Sequence, residues 1–177
     1  RLTSFSPCGV TASTSQRPGC DDATTALVGY GVSVVTLIYL RRLLAFVQDS
    51  VWPMLGSAPV PVSASVVTLA EQVGAALDRH KDVLDNPTIS AQKRRALVDD
   101  LSSAGANYRR SLYADGLKPS QPIEATKLQS LFANALKFVD HSLRTNRRND
   151  HLFHAYNLLE FREEAGELEI HHLPEML

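Results

Sequence analysis

Residues 146–160 read N-R-R-N-D-H-L-F-H-A-Y-N-L-L-E, the one stretch where charged, amide and aromatic side chains crowd together. Arg147 and Arg148 supply fork-shaped cationic donors, and Asn146 and Asn157 both donate and accept. Asp150 and Glu160 are acids or bases by type, and His151 and His154 titrate near neutrality. Phe153 and Tyr156 offer flat apolar faces. Such a mixture suits a polar, hydroxyl-rich or anionic ligand, that is, a carbohydrate or a phosphate. The candidate ligand-binding residues are therefore Asn146, Arg147, Arg148, Asp150, His154, Tyr156 and Asn157. A structural account competes. Cations at the end of a helix offset its negative pole, and buried amides can tie the next segment back to that helix. Exposure separates the two: a site leaves Arg147 or Arg148, His154 and Asn157 accessible around one concavity, whereas a clasp buries His154 and Asn157 against protein partners.

Other chemistries have less support. His151 and His154 stand three apart, with His171 and His172 further on, but no His-Glu-x-x-His pattern accompanies them, and neither a metal nor another cofactor is expected. Ser142 precedes no nucleophile-elbow pattern, and Cys8 lies in a segment with no regular period. Gly29-Tyr30-Gly31 lacks the further glycines and the strand-turn-helix setting of a phosphate-binding loop. Asp150 and Glu160 could pair as acid and base only at a suitable separation, which spacing along the chain does not give.

The elements that must position these residues are mostly helical. Apolar residues recur at helical spacing, predicting four principal helices over 26–51, 65–84, 91–114 and 124–145. The last is the best formed, with Leu128, Leu131, Phe132, Ala135, Leu136, Val139 and Leu143 on one face, and Leu131, Leu136 and Val139 are expected to be mostly buried. Gly116 is placed to end the third helix. After residue 157 the period changes, and two short runs around Gly166 predict a β-hairpin over 158–172, which needs helices to lie against. The fold class is mainly α: an antiparallel helical array with a small C-terminal β-hairpin. Residues 1–22, rich in Ser, Thr, Gly and Pro, read as disordered or irregular, and 23–177 as one helical domain.

The totals set limits. A chain of 177 residues, 44% hydrophobic, with a formal charge of −1, gives no electrostatic reason to expect nucleic acid as partner. Residues 92–95, Q-K-R-R, are expected on a solvated helix face. Two cysteines without C-x-x-C spacing make a reducing, cytoplasmic compartment the default. Residues 23–40 are uncharged and precede Arg41-Arg42, at the lower limit for a membrane span. Threonines and glycines dilute that run, and its apolar pattern continues into Leu43, Leu44, Phe46 and Val47, which favours a buried helix over a membrane one. Arg1 opens the chain without an initiator Met, and 173–177, L-P-E-M-L, looks like a helix just starting. Both suggest a piece of a longer chain whose remainder packs against it.

Four stretches carry a resemblance: Y-R-R-S-L-Y-A-D-G (108–116), F-V-D-H-S-L-R-T-N-R-R-N-D (138–150), L-F-H-A-Y-N-L-L-E (152–160) and H-L-P-E-M-L (172–177). Residues 108–177 resemble part of a family of very large, mostly uncharacterised bacterial proteins related to cellobiose-phosphorylase-type enzymes. The family pattern reads N-R-R-x-D-G-L-Y-H-A-Y-N-L, then a short acidic hairpin, then H-L-Y-E-M-L. This sequence has His151 where the pattern has glycine, and Phe153 and Pro174 where it has tyrosine. The resemblance implies a fragment of an α/α toroid of paired helices, in a glycoside phosphorylase- or hydrolase-like protein, and assigns no catalytic residue. The alternative is a non-catalytic helical interaction or scaffold module.

Overall fold

Ser33 has extended backbone and its hydroxyl accepts from the Thr36 N–H at 3.4 Å, which caps helix α1, Val34–Phe46. The computed structural model describes Phe5–Ser6, Val10–Ala12 and residues 31–173. Past Phe46 the helix continues as a π-helical stretch, Val47–Val51, and one more turn, Trp52–Leu55, ending at Gly56 with φ of +65°. Helix α2, Ala64–Arg79, gives way to a 3-10 stretch, Lys81–Asp85. Asn86 is extended because it precedes Pro87. Helix α3, Ala91–Asp115, starts where the Ser90 hydroxyl accepts from the Lys93 N–H and stops at Gly116, whose φ of +69° favours glycine. Helix α4 is Ala125–Thr145.

The architecture is mainly α with a small antiparallel β part. Strands β1 (Phe5–Ser6), β2 (Val10–Ala12), β3 (Gly31–Ser33), β6 (Tyr156–Arg162) and β7 (Glu167–His172) form one sheet in the order β1-β2-β3-β6-β7. The predicted hairpin is present as β6 and β7, but it belongs to a larger sheet. Its inner edge pairs with β3, Gly31 opposite Leu158 and Ser33 opposite Tyr156. The helix predicted from residue 26 consequently starts at Val34, because the backbone of β3 is taken by β6. Positions 26–30 lie outside the described residues. So does most of 1–22, where the two short described pieces are strands rather than irregular chain.

A separate ribbon, β4 (Val60–Ser63) with β5 (Ser120–Ile123), sets Pro61 opposite Pro122. Neither ring donates to a ladder, which restricts such a pair to an edge ribbon.

Helices α1 and α2 both pack on α4, and α2 packs on α3. Leu37 and Leu44 of α1, Val73 and Leu77 of α2, Leu97 and Leu101 of α3, and Phe138 and Val139 of α4 form the core. Val139 is fully buried as predicted, but Leu131 and Leu136 are only half-buried at the core's edge.

The hairpin rests on the first turns of α3. The Arg94 guanidinium donates to the Leu168 carbonyl at 2.6 Å and the Ile89 carbonyl at 2.9 Å. Arg95 pairs with Glu163 at 3.2 Å and lies over the Phe161 ring at 5.2 Å. Residues 94 and 95 therefore face the sheet and not open solvent. Among the described residues no helix is long and apolar enough to cross a membrane.

Candidate functional site

Asn146 ends α4. Its N–H donates back to the Ser142 and Leu143 carbonyls, each at 3.2 Å, and its side-chain amide donates to the Ser142 carbonyl at 2.8 Å. Its side-chain oxygen accepts from the Asn157 amide at 2.7 Å. The Asn157 oxygen in turn accepts from His172 Nδ1 at 2.6 Å, which fixes the proton of that imidazole on Nδ1. Both asparagines have no exposed surface. This relay joins the last turn of α4 to β6 and β7. The His154 N–H adds a fourth tie, to the Asn146 carbonyl at 3.1 Å. Asn146 and Asn157, two of the candidate ligand residues, are thus fully buried and engaged in this relay, with Asn157 on β6 between β3 and β7. Tyr156 lies beside them on β6, half-buried, and does not reach the concavity described next.

The remaining candidates do converge. Arg147, Arg148, Asn149, Asp150 and His154 line one open depression of about 450 Å³. Asp150 is a turn residue as much as a lining one: it pairs with Arg148 at 2.8 Å and accepts from the Leu152 N–H at 3.1 Å. His151 completes that turn with a φ of +68°, the only positive value at a non-glycine among the described residues. The His154 ring stacks on His172 at 4.4 Å, 12° from parallel, and its Nδ1 is buried with no protein partner among the described residues. His172 is exposed overall, but partial burial, then charge on the nearby His154, Arg94 and His171, lowers its pKa from the ordinary 6.5.

Glu160 does not share the depression with Asp150, so the two form no acid–base pair there. It stands on the exposed face of the hairpin, opposite Glu169, where its carboxylate accepts from His171 at 2.8 Å. That hydrogen bond, then the charge of Arg162, holds the Glu160 pKa below its ordinary value. Glu160, Glu169 and His171 could offer ligand atoms within 4.8 Å of one another. Arg162 already pairs with both carboxylates, at 3.3 and 3.1 Å, and supplies the neutralising charge.

Two further concavities were not singled out in the sequence. One, about 390 Å³, lies between α1 and α4 and is lined by Ile38, Arg41, Asp140, Leu143, Arg144, Arg147 and Phe153. Arg41 is held by Asp140, and Arg144 and Arg147 have no carboxylate partner among the described residues. The other is an apolar groove of about 1160 Å³, by volume well above the other concavities described here. Its walls are Tyr39 and Leu43 of α1 and Val66 and Leu69 of α2; its floor is Leu128, Leu131 and Phe132 of α4. The signal for it was partly present in the sequence: apart from Thr36, Arg41 and Arg42, α1 is apolar, and an apolar helix is ordinarily covered all round. Here Leu37, Leu40 and Leu44 face inward, while Val35, Tyr39, Leu43 and Phe46 are 47 to 63% exposed. No family profile and no curated protein matches the chain.

Proposed function

We propose that the chain is a non-catalytic helical interaction module whose working surface is the groove between α1 and α2. The observation that carries this reading is the outer face of α1, where four large apolar side chains stand in solvent beside an apolar concavity. Monomeric surfaces rarely leave such continuous apolar area uncovered without a binding role. The polar segment supports the same reading by what it lacks, since Asn146 and Asn157 are spent on the clasp and Asp150 on its turn. The test is the dye 1-anilinonaphthalene-8-sulfonate, which fluoresces on apolar surfaces. It should bind the native chain, and Leu43→Glu, a change at an exposed position, should abolish the signal at an unchanged unfolding midpoint. Dye binding that survives Leu43→Glu would sink the reading.

A second reading is a fragment of a carbohydrate-active protein, with its ligand at the end of α4. Its support is specific: Arg144 and Arg147 flank the half-exposed Phe153 ring without carboxylate partners, giving guanidinium forks beside an aromatic face. The left-handed backbone at His151, where the family pattern has glycine, also favours it. Titration calorimetry with cellobiose and with inorganic phosphate separates the readings. A heat that Arg147→Ala removes would favour the second; no heat from either compound favours the first.

A further inference from the structure

We infer that the groove takes an amphipathic α-helix whose apolar stripe is flanked by acidic residues. The inference rests on the interaction-module reading and adds the chemistry of the partner.

Shape comes first. Two helical walls and a helical floor make a trough open along its length, the form into which a helix lays one apolar face. The outward row from Val35 to Phe46 runs along three turns of α1, about 16 Å at helical rise, which matches the i, i+4, i+7, i+11 anchors of a docked helix.

Charge selects among helices. No carboxylate lines the groove, and the one charged lining residue is Arg109, from α3. Arg42 stands at the rim over the Tyr39 ring, 5.8 Å from its centroid. Neither guanidinium has a carboxylate partner among the described residues, and α1 contains no Asp or Glu. A partner with acidic flanks meets both cations, and one with basic flanks meets like charge on desolvation.

The same distribution disfavours a second copy of this chain. A symmetric pairing through α1 would set Arg42 and Arg109 against their own images, with no acid on α1 to answer them.

The experiment uses the full chain and fluorescence anisotropy with labelled peptides of about 16 residues, long enough to hold a helix on binding. They share one leucine stripe at i, i+3, i+4 and i+7 and carry Glu, Gln or Lys flanks. The acidic peptide should bind about threefold to tenfold tighter than the neutral one, the range two exposed ion pairs supply, and the basic one weakest. Arg42→Glu with Arg109→Glu should invert that order, and Leu43→Glu should weaken all three. Equal binding of the three peptides overturns the inference and leaves the module reading standing. Binding of none overturns both. Sedimentation that reveals a dimer split by Leu43→Glu assigns the groove to a second copy and overturns the inference, as does saturable binding of dodecanoate when no peptide binds.

Discussion

Asn157 serves three neighbours at once: its backbone pairs within the sheet, its amide donates to Asn146 and its oxygen accepts from His172. Truncating it takes the acceptor from His172 and leaves the side-chain oxygen of the fully buried Asn146 without this donor. Asn157→Ala should therefore cost about 1–3 kcal/mol, read from urea unfolding, while Arg147→Ala, at an exposed residue, should stay within about 0.5 kcal/mol. Equal effects would mean that the clasp is not the role of this amide. His172 makes the clasp sensitive to acid. Its pKa is lower in the folded chain than in the unfolded one, so the unfolded chain binds the proton more tightly. The neutral ring's contribution is fully present above about pH 6.5, and it is lost as pH falls below that toward the folded value. Burial, then charge on the nearby His154, Arg94 and His171, opposes its protonation. Between about pH 7 and 5 the unfolding midpoint should fall more in the native chain than in His172→Gln. From the sequence, Asn157 and Arg147 looked like members of one set. Only the register of β6, which points Asn157 inward at the α4 terminus, separates a structural amide from a surface cation.

At the scale of elements, α2 carries a glycine in its interior that its packing does not require. A Cβ at Gly74 would meet the Leu131 Cδ1 at 3.8 Å, an ordinary contact. Gly74→Ala should stabilise the chain by about 0.5–1 kcal/mol, the helix-propensity difference, seen as a higher unfolding midpoint; a loss would mean that the added methyl displaces α4. The long helices were the legible part of this chain. α3 and α4 lie within a residue of their predicted bounds, because each has an apolar stripe and α3 also has a local stop signal at Gly116. The elements that failed to show are those set by partners distant in sequence. β3 has only Gly31, Val32 and Ser33, too few for any period, and exists because β6 lies alongside. The β4–β5 ribbon was hidden by prolines that locally read as breaks. The arginines at 94 and 95 looked solvated because nothing within α3 reveals that the hairpin covers its first turns.

For the whole molecule, the core divides into a dry centre and an open flank. Leu97 is completely buried, so Leu97→Ala should cost about 2–5 kcal/mol. Leu136, half-buried, should cost less, about 1–2 kcal/mol on the area it hides. Equal losses in chemical denaturation would place Leu136 in the centre. The candidate site was legible as a crowd of residue types, and the structure divides that crowd between a clasp and an open rim. The groove was legible only indirectly, as a helix that is apolar but for Thr36, Arg41 and Arg42. The pairing of Gly31 with Leu158 also governs the order of assembly. Helices α1 to α4 all lie between those two residues, so closing this seam costs about 2 kcal/mol more chain entropy than joining α2 to α3 through their short connection. The helices can therefore gather while the seam is still open, and the sheet closes late. During synthesis, α1 to α4 are all made before β6, and until β6 arrives β3 waits with one edge unpaired. The arrival of β6 closes the seam, and the buried amides at 146 and 157 engage only then.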